Sequence, residues 1–146
     1  MLTKEQRDRL LTAGYKEKNG VFYYCEPPKD VNPSSDSKPH DKNTWSFWRI
    51  QNHSFFRQKL NSLPEKQTVI DLGAGQSDFR DLMARFNETI GIDFYPYPGI
   101  SVVCDINTAI PLNNECADAV LLSNVLEHSQ EPLGLLSESY RILKPA

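Results

Sequence analysis

The run Thr68-Val69-Ile70-Asp71-Leu72-Gly73-Ala74-Gly75-Gln76-Ser77 constrains this chain more than any other segment. A short apolar stretch ends in an acid, then comes a Gly-x-Gly turn, then a helix-like segment beginning near Ser77. Glycine takes positive φ without steric penalty and lets the backbone come close to a ligand, so such a strand–turn–helix suits a nucleotide. Asp71 lies within the apolar run, where a carboxylate needs backbone amides or a ligand to offset its desolvation. The dinucleotide fingerprint G-x-G-x-x-G requires a third glycine at position 78, and that residue is Asp78.

The segments downstream repeat one theme. Glu88-Thr89-Ile90-Gly91-Ile92-Asp93 reads as a second buried strand ending in an acid. A carboxylate at that place can accept hydrogen bonds from both ribose hydroxyls. Ile100 to Ile106 is a third β-branched run and carries Asp105 near its end. Asp118 to Ser123 forms a fourth strand, running into Asn124-Val125-Leu126-Glu127-His128. Pro132 to Leu143 reads as a helix, with Lys144-Pro145 as the turn beyond it.

In this order and spacing, residues 68–145 resemble class I S-adenosylmethionine-dependent methyltransferases of the small-molecule and sugar-modifying kind. The first motif of that family reads acid-x-Gly-x-Gly-x-Gly; Asp71, Gly73 and Gly75 match it, and Ser77 stands where the third glycine usually sits. The resemblance implies an α/β fold, a Rossmann-like doubly wound sheet, with S-adenosylmethionine as cofactor. Asp71 and the amides of Gly73, Ala74 and Gly75 would hold its amino-acid part. Asp93 would bind the ribose, and Asp105 with Ile106 the adenine; Phe94, with Tyr95 and Tyr97, would either stack on the adenine or pack the loop surface with Pro96 and Pro98. Ser123 and Asn124 would line the methionine moiety near the reactive carbon. The implied reaction is methyl transfer to a small molecule, first of all to an oxygen of a sugar or similar metabolite.

The family orders its seven strands 3-2-1-4-5-7-6, and this chain ends at Ala146, just after the fourth strand and its helix. The expected unit is therefore the N-terminal half of the domain, truncated, with a fourth-strand edge that invites self-association. Two other functions stay open. One is a cofactor-binding fragment or regulatory subunit without catalysis; the other is an NAD-dependent oxidoreductase, against which Asp78 counts.

A helix beginning after Ser123 would place Asn124, Glu127 and His128 on one face, by i, i+3, i+4 spacing. Some quinone-pathway O-methyltransferases resemble this segment, carry Glu where Asn124 stands, and hold a divalent metal there. With that carboxylate missing, no metal is expected. His128 is a candidate general base for an acceptor hydroxyl, since imidazole titrates near neutrality. The alternative is a histidine bonded to backbone at a helix start.

Residues 1–62 form an N-terminal extension before the unit at 63–146. Thr3 and Gln6 predict a capping box for a short helix through Leu11, stopped by Gly14. Val21 to Cys25 reads as a strand or extended edge, and the proline-bearing stretch 27–43 as a loop. From Thr44, Trp45, Trp48, Phe55, Phe56 and Leu60 recur near helical spacing, which predicts packing against the sheet or a wall for the acceptor site. The extension carries a charge of +4 and the remainder −7. So small and scattered an excess argues for a solvated face rather than for nucleic acid. No apolar run reaches the roughly 18 residues of a membrane span. Cys25, Cys104 and Cys116 lack metal-ligand spacing and fit a reducing cytoplasm.

Overall fold

The computed structural model describes residues 2–29, 42–76 and 79–145. Ser77, Asp78 and most of the proline-bearing loop lie outside the described residues. The elements are α1 (Lys4–Leu10), β1 (Lys16–Lys18), β2 (Val21–Tyr23), α2 (Phe47–Asn61), β3 (Thr68–Leu72), α3 (Arg80–Met83), β4 (Glu88–Asp93), β5 (Ile100–Val103), β6 (Ala119–Leu122) and α4 (Pro132–Ile142). Short 3₁₀ turns occupy Lys42–Thr44 and Leu126–His128.

The six strands form one sheet in the order β1-β2-β5-β4-β3-β6, every pairing parallel except β1 with β2. The run β5-β4-β3-β6 is the expected 3-2-1-4 arrangement. β3 is buried along its whole length, as a central parallel strand covered on both faces must be. Strand alternation divides its side chains between two cores. Ile70 and Leu72 join Leu10, Phe22, Ile92, Val102, Leu135 and Ile142, while Val69 packs with Leu60, Phe79, Met83 and Leu121. Asp71 therefore belongs to the α2 side of the sheet, with Val69.

The extension is tied to this sheet. The capping box is present, with the Thr3 amide donating to Gln6 Oε1 at 2.7 Å and the Gln6 amide to Thr3 Oγ1 at 3.2 Å. The helix ends at Leu10 rather than at Gly14, because Leu11 is extended and forms an antiparallel bridge with Leu112. The predicted edge at 21–25 is β2, which pairs with β5 in parallel register, Phe22 opposite Val102 and Tyr23 opposite Val103.

α2 begins later than Thr44, with Ser46 as its N-cap accepting from the Arg49 amide at 3.3 Å. Its buried face is His53 and Leu60, with Phe56 packed beside them. Trp48 and Phe55 point away from the sheet and are 74% and 53% exposed. The aromatic stripe thus divides between core and solvent, because a 100° step per residue places Trp48 and Phe55 well away from Leu60.

α4 is fastened by Arg141. Its guanidinium donates to Ile110 O, Leu112 O and Asn114 Oδ1, each at 2.8 Å, and to Glu138 Oε2 at 2.7 Å. Arg141→Ala is expected to lower unfolding free energy by about 2 kcal/mol, since it strips charged hydrogen bonds from two carbonyls. The Arg141 guanidinium, against the opposing pull of desolvation, holds the Glu138 carboxyl below its usual value. A carboxyl lowered in the folded state contributes stability above its unfolded pKa. That share is lost as pH falls below about 4 and through the folded value. Urea midpoints measured against pH should fall over that acid range in the wild type, and less steeply in Arg141→Ala.

Candidate functional site

The Gly-x-Gly turn follows β3 at the carboxyl edge of the sheet, where ligands bind in open parallel sheets. Gly73 has φ of +70° and Gly75 of +52°, both in the region that favours glycine. A Cβ on Gly73 would stand 2.4 Å from Val125 Cγ2, so this glycine lets the turn pack on the segment after β6. A Cβ on Gly75 would meet nothing within 4 Å, and so faces open space.

The turn's amides are already engaged. Gly73 and Ala74 donate to Ile92 O at 2.9 and 3.0 Å, and Gly75 donates to Asp93 Oδ2 at 2.8 Å. Close packing of the turn on β4 gives these three amides, expected to face the cofactor's amino-acid part, partners within the chain.

A cleft of about 150 Å³ opens at this turn, lined by Arg49, Asp71, Gly73, Ala74, Gly75, Gln76, Phe79, Ser123 and Asn124. Asp71 is 1% exposed at its base. The Ser123 hydroxyl is buried and has no hydrogen-bond partner among the described residues. Asn124 takes φ of +53°, a conformation asparagine tolerates better than most residues, and its Oδ1 accepts from Asn52 Nδ2 at 3.2 Å. α2 and the end of β6 are thereby joined across the cleft. Arg49 is a member that sequence reasoning did not single out; a cation one turn into the helix before β3 was its only signal.

Asp93 stands at the end of β4, where its Oδ2 holds Gly75 and its Oδ1 accepts from the Tyr95 amide at 2.9 Å. A second cavity, of about 510 Å³, lies beyond it and is lined by Tyr24, Cys25, Glu26, Phe94, Cys104, Asp105, Thr108, Ala109 and Pro111. Asp105 Oδ1 accepts from the Asn107 amide at 2.9 Å and from its Nδ2 at 3.0 Å, a turn-forming pattern. Ile106 faces a different hollow, beside α4. Burial, with the charge of Cys25 nearby, pushes the Cys104 thiol up to about 12, so it behaves as a small apolar side chain.

The helix expected from Asn124 is absent. Asn124 is left-handed and Val125 irregular, and only Leu126–His128 form a 3₁₀ turn. Val125 fills the core against Gly73, which sets this kink and keeps Asn124, Glu127 and His128 off a common α-helical face. His128 is exposed and lines neither cavity.

A Rossmann-like sheet with a glycine turn, a buried acid and a second acid at the next strand end is the arrangement on whose carboxyl edge nucleotide-type cofactors bind. Residues 70–146 match the model of a methyltransferase domain, and this chain belongs to that family. The family's cofactor is S-adenosylmethionine. No curated protein matches the chain. Among solved structures, the chain is similar to the YcgJ protein of Bacillus subtilis, with 14% identity and a TM-score of 0.57 over 65% of this chain and 47% of that one. An S-adenosylmethionine-dependent methyltransferase of Mesorhizobium loti gives 22%, 0.50, 60% and 48% for the same quantities. The complex between the Haloferax volcanii Trm112 methyltransferase activator and a methyltransferase gives 25%, 0.50, 66% and 50%. The chain spans about half the length of the structures it matches. Among the described residues no helix is long and apolar enough to cross a membrane.

Proposed function

We propose that this chain is the cofactor-binding part of an S-adenosylmethionine-dependent methyltransferase acting on a small molecule. The observation that carries the reading is the convergence of buried Asp71, the orphaned Ser123 hydroxyl and the bare face of Gly75 on one cleft. These features fit the cofactor's amino-acid end: a carboxylate for its ammonium, a donor for an oxygen, and room where any side chain would intrude. Arg49, on the same cleft, is the group we assign to its carboxylate, since a guanidinium matches that geometry with two donors. Asp93 takes the ribose hydroxyls. Phe94 and Asp105 take the base in the neighbouring cavity.

S-adenosylmethionine, when bound, supplies an electrophilic methyl carbon on a sulfonium that is already a good leaving group. The chain's task is orientation and exclusion of water. Asn124, fixed by Asn52, lies where the amino-acid cleft opens and is the residue we place nearest the acceptor. The acceptor atom, by family resemblance, is an oxygen of a sugar or comparable metabolite. His128, exposed and outside both cavities, is not used as a base in this reading.

Thermal melts with S-adenosylhomocysteine, and with NADH as control, test the reading. S-adenosylhomocysteine alone should raise the midpoint, because a ligand specific to the folded state stabilises it by mass action. Arg49→Ala should weaken binding by about tenfold or more, the worth of a charged hydrogen-bond pair. A cooperative melt that ignores S-adenosylhomocysteine would sink the assignment.

A further inference from the structure

The second cavity is only partly made by the methyltransferase-like unit. β2 runs parallel to β5, so its carboxyl end reaches the same edge of the sheet as the glycine turn and Asp93. The Tyr24 amide continues the ladder by donating to Val103 O at 2.9 Å, which carries the chain past β5 and over the cavity. The Tyr24 hydroxyl donates to Thr12 O, and its ring stands edge-on to Tyr15 at 5.9 Å. These contacts fix the segment from both sides. Cys25 follows and lines the cavity together with Asp105. Glu26 is at the rim, paired with Lys16 at 3.3 Å.

We propose that the N-terminal hairpin completes the purine-base subsite, with Cys25 as the contact that sets its depth opposite Phe94 and beside Asp105. The proposal rests on the cofactor reading above. An adenine ring is flat and apolar on its faces and carries an amino donor on its edge. Phe94 offers an aromatic face, Cys25 a polarizable edge, and Asp105 an acceptor. Among the described residues Asp105 uses only Oδ1 for its turn, so its second oxygen is the one we assign to the amino group. The family match begins at residue 70, so this part of the site is a feature of the extension.

Thiol modification of the full chain by N-ethylmaleimide, followed at each cysteine by mass spectrometry, tests this. Cys104 and Cys116 are buried, so Cys25 is the reporter. At about ten times their dissociation constants, S-adenosylhomocysteine and adenosine should each slow its modification about tenfold, and methionine should not. Cys25→Trp should abolish the melting shift given by S-adenosylhomocysteine, while Cys25→Ser retains it. Cys25 lies outside both core clusters, so the tryptophan variant should still melt cooperatively. Unprotected Cys25 in a chain that S-adenosylhomocysteine stabilises, together with an unchanged shift in Cys25→Trp, overturns the subsite alone. A wild-type melt that ignores S-adenosylhomocysteine overturns both the subsite and the cofactor reading.

Discussion

Gly73→Ala should lower unfolding free energy by about 3 kcal/mol, whereas Gly75→Ala, two residues on, should lower it by about 1 kcal/mol. Both positions have positive φ, so an alanine meets the left-handed penalty at each. Only Gly73 adds a collision, a Cβ placed 2.4 Å from Val125 Cγ2 and 2.9 Å from Val125 Cβ. Val125 is in the main core and has no open side to move into, so the overlap becomes displaced packing. The two substitutions should reverse their order in binding. At Gly75 the new methyl enters open space that the proposed site gives to the ligand, and S-adenosylhomocysteine affinity should fall at least tenfold in a chain that still folds. Urea unfolding with and without S-adenosylhomocysteine reads both effects. Equal losses of stability in the two variants would show that backbone conformation, and not contact with Val125, governs this turn.

The second large effect is expected at Asp93→Asn, which should weaken S-adenosylhomocysteine binding by about 10- to 100-fold. Two backbone amides, of Gly75 and Tyr95, point at separate oxygens of this carboxylate. A carboxylate accepts at both, while an amide presents one oxygen and one NH₂ group. The substitution therefore sets a donor against one of those amides and loosens either the glycine turn or the loop beyond β4. In the proposed site it also removes charge-assisted hydrogen bonds to the ribose, each worth about 1.5–3 kcal/mol. Isothermal titration with S-adenosylhomocysteine and with methionine separates the parts. Loss confined to the first ligand places the effect at the ribose; loss of both means the turn itself has shifted. Unchanged affinity for S-adenosylhomocysteine would remove Asp93 from the site.

Much of the fold was legible because local rules and global packing agree here. The four apolar runs are strands at the expected places, with β4 matching Glu88–Asp93 residue for residue. Asp71, Gly73, Ala74, Gly75, Ser123 and Asn124 do line one cleft, and Phe94 and Asp105 do share another. Each sits where a parallel strand ends, so strand position alone brings them to one edge. The departures occur where a distant residue overrides a local preference. Leu112 extends Leu11 and ends α1 early, and Val125 against Gly73 replaces a helical start with a left-handed Asn124.

By itself the sequence determined where β3 to β6 run, the glycine turn, and the acids in β3 and at the end of β4, since these follow from periodicity and from what glycine and carboxylates require; the order of those strands in the sheet was what the family resemblance implied. Only the tertiary structure decided that Arg49 lines the cleft at the glycine turn and that the turn's amides belong to Ile92 and Asp93. It also decided that the hairpin of the extension reaches the second cavity. Those three facts depend on contacts between residues far apart in the chain, and no local pattern encodes the register of β2 on β5 or the seating of α2 on β3.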